Sequence, residues 1–125
     1  MKKILFSIVV LLLFAFSLDA QKASFKNDTA KYNGRTFVVS DTLTLGYGSQ
    51  ANKNFAFITI GSSITGVTDL DKQWAKNNAV IDKIYKGMGQ SIIIRAKLVD
   101  KTVNLIGGNK LFINMEAAID NKEIY

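Results

Sequence analysis

A glycine-rich stretch in the first half of the chain matches a nucleotide-binding fingerprint. Gly46-Tyr47-Gly48-Ser49-Gln50-Ala51 fits the pattern G-x-G-x-x-G/A and follows a strand-like run. In a dinucleotide site, the last small residue opens a helix whose N-terminus faces the pyrophosphate. Here Asn52-Lys53-Asn54 lead directly into the apolar run Phe55–Ile60, which is typical of a buried strand. Because a parallel crossover needs a dozen or more residues, we predict that the stretch is a loop between strands.

Metal and nucleophile chemistry is limited by composition. The chain has no cysteine and no histidine, which excludes the usual zinc, copper and iron ligand sets. Asp69 and Asp71 offer oxygens to calcium, but no EF-hand loop follows them, and a solvated acidic loop is the simpler interpretation. A serine nucleophile would lack its histidine base, and a pair such as Ser91 with Lys97 stays formally open. We therefore predict no metal and no cofactor.

Isolated carboxylates are the other candidates for catalysis. Two carboxylates separated by roughly 5 to 10 Å can cleave glycosides. The candidates Asp41, Asp82, Glu116 and Asp120 are scattered, and an aspartate in a strand more often hydrogen-bonds a turn. The sequence therefore predicts a protein that is not an enzyme, with a glycan-directed or peptidoglycan-directed hydrolase as an alternative.

The excess of basic residues raises the question of nucleic acid. The chain has 16 Lys and Arg against 10 Asp and Glu, for a formal net charge of +6. Barrels of the OB type bind single strands with aromatic faces and cationic grooves, and Tyr47, Lys83, Tyr85, Arg95 and Lys97 could form such a face. The lysines are scattered rather than clustered, so we interpret them as a solvated outer face and predict no nucleic-acid partner.

Aromatic residues in loops are the best indication of a binding site. Tyr47 lies between two glycines, and Trp74 is the single tryptophan, in the least regular segment. Tyrosine and tryptophan dominate binding hot spots. The candidate ligand-binding residues are therefore Tyr47, Trp74, Tyr85 and Arg95. The alternative for Trp74 is that it joins Leu70 in the core.

The N-terminus indicates export. Lys2 and Lys3 precede the apolar run Ile4–Leu18, and the small residue Ala20 stands before Gln21. This order is the layout of a secretory signal peptide, and the run is shorter than the roughly 20 residues that a membrane span needs. We predict a signal peptide over residues 1–20, no stable membrane span after its cleavage, and a location in the periplasm, at the cell surface or outside the cell.

The remaining chain divides into a polar arm and one small domain. Residues 21–35 are polar and predict an N-terminal arm that ends in a turn at Asn33-Gly34. Residues 36–125 predict a single β domain. Phe37, Val39, Leu43 and Leu45 share one face of a strand pattern, and Asp41 interrupts that face, which predicts a bend, bulge or break.

Three further strands are predicted over Phe55–Ile60, Ala79–Tyr85 and Ser91–Val99. Gly107-Gly108-Asn109 separates two apolar runs and predicts a hairpin turn. Five or six short strands separated by Gly and Asn turns favour a small closed or partly open barrel.

Two helical segments accompany these strands. Met115, Ala118 and Ile119 have helical spacing, with Asn114 as the expected N-cap. The segment 68–78 is ambiguous, and a short helix there could begin with a capping box of Thr68 and Asp71.

Four segments together resemble a family. "DTLTLGYGS" (Asp41–Ser49), "NFAFITIG" (Asn54–Gly61), "IDKIYK" (Ile81–Lys86) and "LFINMEAAIDNKEI" (Leu111–Ile124) are similar to segments of small exported proteins of Bacteroidetes-type bacteria. The resemblance implies an exported β domain of SH3-like type, in a family of unknown function, and it brings no catalytic residue with it.

The fold expected from these observations is mainly β: a small SH3-like barrel of five or six strands with a short C-terminal helix, or alternatively an OB-like barrel. The expected function is a non-enzymatic binding or interaction module of the bacterial cell envelope, whose partner is an envelope protein or a glycan. A structural subunit of an envelope assembly is the alternative from another class.

Overall fold

The computed structural model describes residues 23–62, 66–99 and 110–125, which form nine strands, one α-helix and two short 3₁₀ helices. The strands are β1 (Ser24–Lys26), β2 (Thr29–Tyr32), β3 (Arg35–Val38), β4 (Thr42–Thr44), β5 (Ile58–Ser62), β6 (Gly66–Asp69), β7 (Asn78–Lys86), β8 (Ile92–Leu98) and β9 (Lys110–Asn114). The α-helix is α1 (Met115–Asp120), and the 3₁₀ helices cover Lys72–Trp74 and Met88–Gln90. The predicted signal peptide and the predicted turn at Gly107-Gly108-Asn109 lie outside the described residues.

The strands form two antiparallel sheets. One has three strands in the order β1-β2-β3, and the other has six in the order β4-β7-β8-β9-β5-β6. The prediction of a mainly β chain with a short C-terminal helix is confirmed. Strands β4 and β6 lie at the two edges of the larger sheet, so the described strands form an open sheet and pairing between strands does not close it.

The break predicted at Asp41 separates the two sheets. Strand β3 ends at Val38 and β4 begins at Thr42. The Asp41 carboxylate accepts a hydrogen bond from the Val38 N–H at 3.0 Å, and the Asp41 N–H donates to the Val38 carbonyl at 3.0 Å. This aspartate faces a turn and satisfies backbone groups that a strand would have paired, so the chain leaves one sheet and enters the other.

Alternation along β8 builds one side of the core. Ile92, Ile94, Ala96 and Leu98 are buried, and the residues between them lie on the opposite face. This strand was the most regular pattern in the sequence, and its prediction is confirmed. Its neighbours β7 and β9 contribute further aliphatic side chains to the same layer.

Strand β7 contains an irregularity that the alternation did not reveal. Its register with β8 shifts between Ile81 and Lys83, which places Asp82 in a bulge. Because of that extra residue, both Ile81 and Ile84 reach the core although they are three positions apart. The helix α1 packs on β8 and β9 and buries Met115 and Ala118.

The segment predicted as part of a polar arm is structured from Ser24 onward. Two hairpin turns, Asn27-Asp28 and Asn33-Gly34, have positive φ at both central residues, the conformation that tight antiparallel hairpins prefer. Composition suggested only the second turn. The three-stranded sheet buries Ala30 and Phe37 against the rest of the core, and its polar outer residues explain why the segment reads as an arm.

Three local predictions are corrected. Strand β5 begins at Ile58 rather than Phe55, although Phe55 is buried as predicted. Thr68 lies in β6, and Asp71 before the first 3₁₀ helix makes no side-chain capping bond, so the capping box is wrong. Asn114 occupies the N-cap position of α1, but its side chain makes no capping hydrogen bond.

Candidate functional site

A buried carboxylate organises one end of the molecule. Glu123 is 0% exposed and follows α1 in the C-terminal tail, defined here as residues 121–125. Its Oε2 accepts hydrogen bonds from the Ser49 N–H at 2.9 Å, the Ser49 hydroxyl at 2.7 Å and the Ala56 N–H at 2.8 Å. Its Oε1 accepts the Phe57 N–H at 2.9 Å. Three backbone N–H groups and one hydroxyl thus supply the hydrogen bonds that a buried carboxyl group needs.

This carboxylate explains why β5 starts late. The N–H groups of Ala56 and Phe57 donate to Glu123 instead of to a neighbouring strand. The side chain therefore links the tail to the entry of β5. Its hydrogen bonds to these N–H groups take the place of the strand pairing found elsewhere in the sheet.

The tail also covers the β4 edge of the main sheet. Thr44 and Tyr125 exchange two backbone hydrogen bonds, at 3.0 and 2.8 Å, and Leu45 and Ile124 form an antiparallel bridge. The Arg35 guanidinium donates to the Ile124 carbonyl at 3.0 Å and stacks over the Phe37 ring at 4.9 Å. Burial lowers the pKa of Arg35 from its ordinary value, but an arginine stays charged at any physiological pH.

The two glycines of the fingerprint-like stretch serve close packing. A Cβ added at Gly46 would lie 2.2 Å from the Lys122 carbonyl oxygen and 2.8 Å from Cε2 of Tyr125. A Cβ at Gly48 would lie 2.1 Å from the Lys53 carbonyl oxygen. Residues 45–57 contain no helix, so the prediction of a loop between strands is confirmed. The segment 46–49, here named the Tyr47 loop, is held on both sides by backbone.

Tyr47 projects from this loop into a cleft. Its side chain is 61% exposed although its neighbours are packed. The cleft has a volume of about 440 Å³ and is lined by Thr44, Leu45, Gly46, Tyr47, Lys76 and Tyr125. Tyr125 is 57% exposed, and the ammonium nitrogen of Lys76 lies 5.1 Å from the centroid of the Tyr47 ring. Two accessible aromatic rings and one cation therefore surround a backbone floor.

The floor of the cleft is fixed by hydrogen bonds. The Lys76 N–H donates to the Leu45 carbonyl at 2.9 Å, and the Leu45 N–H donates to the Asn77 carbonyl at 2.8 Å. The Gly46 N–H donates to the Glu123 carbonyl at 2.7 Å. Lys76 itself has a positive φ of 66°, a conformation that a tightly held turn can impose. The side chains of the cleft thus project from backbone that is already paired.

Trp74 lies near the cleft in sequence but does not line it. It ends the first 3₁₀ helix, is half-buried and packs against the core. The alternative interpretation of Trp74 as a core residue with Leu70 agrees with this position, since Leu70 is fully buried. The structure brings Tyr47 together with Lys76 and Tyr125 rather than with Trp74.

Tyr85 and Arg95 occupy the outer face of the main sheet. Lys83 pairs with Arg95 across the strands and Tyr85 pairs with Ile93, so these four side chains share that face. Arg95 Nε forms an ion pair with Asp82 Oδ1 at 2.7 Å, and Lys83 Nζ lies 5.4 Å from the centroid of the Tyr85 ring. Neither Tyr85 nor Arg95 lines the cleft.

Three of the four carboxylates considered for hydrolysis have structural partners. Asp41 accepts from the Val38 N–H, Asp82 pairs with Arg95, and both oxygens of Asp120 accept from the Tyr32 hydroxyl at 2.9 Å. That bond, helped by burial and by the nearby negative charges, raises the pKa of Tyr32 above its ordinary value. In the part of the chain that the structure describes, no three acidic side chains are grouped closely enough to hold a metal ion.

Sequence reasoning missed the residues that build this end of the molecule. Glu123, Lys76 and Tyr125 each lie in a short polar segment without periodicity. The one signal for Glu123 was its place in the segment Leu111–Ile124 that carries the family resemblance. No spacing rule connects that position to Ser49 or to Lys76.

Comparisons with known proteins add no assignment. A scan against protein-family models finds no matching family, and searches of curated proteins and of solved structures find no similar protein. The resemblance to exported proteins of Bacteroidetes-type bacteria stays a prediction. Across residues 23–62, 66–99 and 110–125, no helix combines the length and the apolar character required to traverse a bilayer.

Proposed function

We propose that this protein is an exported, non-enzymatic binding module of the bacterial cell envelope, and that it binds its partner in the cleft at the Tyr47 loop. The observation that carries the proposal is the exposure of Tyr47, 61%, on a loop whose flanking glycines are packed against backbone. Most of this large aromatic side chain lies in water, and its contact with Lys76 contributes only about 0.5–1 kcal/mol at an exposed site. It is the type of residue that supplies contact area in binding sites.

Rigidity of the site supports binding. Glu123 holds Ser49 at one end of the loop, and the tail holds Gly46 at the other. Because the loop is already ordered, a partner does not have to pay the entropy of ordering it. Preformed clefts of a few hundred Å³ with few polar groups are the usual form of a ligand site.

The side chains of the cleft favour recognition over catalysis. Thr44 Oγ1 donates to Asn78 Oδ1 at 3.1 Å, and the other polar side chains that line the cleft are two phenols and one ammonium. No acidic side chain lines it, so the carboxylate pair that most glycosidases use is missing from its lining. Ser49 does contact a carboxylate, but that carboxylate is buried and also holds two further backbone N–H groups.

The proposal also includes the location of the protein outside the cytoplasm. The leader-like order of basic, apolar and small residues at positions 1–20 supports export to the periplasm, the surface or the medium. Envelope proteins and glycans are the partners available there.

The test is an amide-resolved NMR titration of the purified protein with a soluble extract of the host cell envelope. We expect shifts at Gly46, Tyr47, Lys76 and Tyr125, and their loss in Tyr47→Ala. Tyr85→Ala is the matched control, since Tyr85 also lies under a lysine but on the outer face of the sheet. Binding that Tyr47→Ala leaves unchanged, in a protein with a dispersed spectrum, would overturn the site.

The exposed edge of the main sheet favours a second candidate, a structural subunit of an envelope assembly. All four residues of β6 are exposed, Val67 at 56%, and β5 is the one described strand that pairs with it. Such an edge can accept a strand from another molecule. Assembly through β6 predicts concentration-dependent oligomers in sedimentation experiments that Val67→Lys abolishes. A monomer at every concentration, alone or with envelope fractions, counts against this role.

A further inference from the structure

A lysine supplies the side-chain charge of the cleft. Lys76 is the one charged side chain among its lining residues, and no acidic side chain lines it. The nearest buried acid, Glu123, directs both carboxylate oxygens toward Ser49, Ala56 and Phe57. An anion entering the cleft therefore meets the Lys76 ammonium and no acidic side chain.

The Lys76 ammonium is available to such an anion. Within the described residues it belongs to no ion pair, and its contact is the face of the Tyr47 ring at 5.1 Å. A cation–π contact at an exposed site is worth only about 0.5–1 kcal/mol. A carboxylate or phosphate can take hydrogen bonds from the ammonium while the lysine stem stays on the ring. Arg95 differs, since Asp82 already holds its guanidinium at 2.7 Å.

The backbone of the cleft offers an incoming partner little. The N–H groups of Thr44, Leu45, Gly46 and Lys76 all donate to carbonyls of this chain. A peptide cannot add here as a strand, because the tail already pairs with β4, and a phosphate cannot sit in a nest of free amides. The groups that offer most to a partner are the two rings, their phenol groups and Lys76.

A saccharide fits these groups. The apolar C–H face of a pyranose packs on an aromatic ring, and its hydroxyls at the rim can bond to phenols, which are both donors and acceptors. The two accessible rings, Tyr47 and Tyr125, border the floor at Gly46. A volume of about 440 Å³ suits a short oligosaccharide rather than a chain that needs a long channel.

We propose that the cleft binds an anionic saccharide, with a sugar ring stacked on Tyr47 and Tyr125 and its carboxylate or phosphate at Lys76. This inference rests on the proposed binding function and specifies its ligand class. Lys76 is then the residue that distinguishes charged from neutral sugars.

The test compares charged and neutral forms of the same sugars by calorimetry and NMR. The probes are a galacturonic acid tetramer against its methyl ester, and glucose 6-phosphate against glucose. We expect at least one acidic form to bind at least tenfold more tightly than its neutral counterpart, with shifts at Tyr47 and Lys76 and an affinity that falls with added salt. The two pairs show whether the anion is a carboxylate or a phosphate.

Two variants test whether Lys76 causes the preference for charged sugars. Lys76→Gln should reduce binding of the acidic sugar to the level of the neutral one, whereas Lys83→Gln, at the other tyrosine–lysine contact, should leave it unchanged. Equal affinity for the acidic and neutral forms, or a charge preference that persists in Lys76→Gln, would overturn the proposal. If no probe binds but envelope extract still shifts Tyr47, the sugar class is wrong and the binding module stands. If neither the sugar probes nor the envelope extract shifts the Tyr47 signals, the proposed function fails as well.

Discussion

The two edges of the six-stranded sheet are treated in opposite ways. At the β4 edge, the tail adds two backbone hydrogen bonds at Thr44, a bridge at Leu45 and the carboxylate of Glu123. At the β6 edge, all four residues are exposed, and the described residues provide no strand on the outer side. Both edge strands are short, so length does not explain the difference.

The β4 edge is therefore supported by backbone bonds from the tail, whereas no described strand covers the β6 edge, here called the free edge. Backbone that is paired and buried opens only with a free energy near that of global unfolding, whereas exposed edges open locally. The aromatic cleft lies on the supported edge, and Tyr47 and Tyr125 project from backbone that is paired or closely packed there. A binding site with preformed geometry needs that support, and the free edge can tolerate motion or a partner.

The largest expected effect is the loss of Glu123. Glu123→Ala leaves three part-buried N–H groups and the Ser49 hydroxyl without an acceptor, and should reduce the free energy of unfolding by about 3 kcal/mol. Glu116→Gln, at the partly exposed start of α1, is the control and should change it by less than about 1 kcal/mol. Urea denaturation measures both. Equal, small losses of unfolding free energy in the two variants would show that the Glu123 carboxylate does not stabilise the β4 edge.

Next in size is the packing of Gly46. Gly46→Ala forces the Lys122 carbonyl and the Tyr125 ring away from β4 and should destabilise the protein by about 2–3 kcal/mol. Gly66→Ala on the free edge is the matched variant, because its Cβ meets no atom within 4 Å. It should cost about 1 kcal/mol, from its positive φ of 80° alone. A reversed order in thermal denaturation would contradict the assignment of the two edges.

A smaller effect is expected at the contact that ties the three-stranded sheet to α1. Tyr32→Phe removes the bond to Asp120 and should cost about 1 kcal/mol at neutral pH. Because the folded pKa of Tyr32 is raised, the tie is fully present below the unfolded value of about 10 and is lost as pH rises through the folded pKa. The difference in stability between wild type and Tyr32→Phe should therefore disappear in alkaline solution. A difference that persists there would exclude the phenol proton as its source.

The smallest effect is expected at β6. Val67→Thr should change the free energy of unfolding by less than about 0.5 kcal/mol, since the side chain is 56% exposed. Hydrogen exchange should be fast at Val67 and Asp69 and slow at Thr44 and Tyr125. Strong protection of the Val67 and Asp69 amides in the isolated protein would show that this edge is covered.

Sequence reasoning succeeded where the physics is local. The alternation in β8, the helical spacing of Met115 and Ala118 and the break at Asp41 depend on neighbours a few positions away, and each is found as predicted. The exposure of Tyr47 between two glycines belongs to the same class.

Prediction failed where partners are distant in sequence. Glu123 is important because of Ser49, which lies 74 positions earlier, and no periodicity encodes that contact. Lys76 reaches Tyr47 through its backbone bond to Leu45, 31 positions earlier, and Tyr125 reaches it because the tail pairs with β4. The late start of β5 has the same origin, since its first amides bind a side chain from the other end of the chain.

The position of the tail in the chain has a consequence for the order of folding. Its contacts span 74 residues at Ser49 and 89 residues at Arg35, so the loop and the β4 edge are synthesised long before the groups that hold them. At the usual rate of about 5–20 residues per second, this interval is about 4–18 s. During that time the nascent chain carries an uncovered edge strand and an unsatisfied loop. Contacts of such high sequence separation also slow folding, so this architecture suits a chain that is kept unfolded until its synthesis is complete.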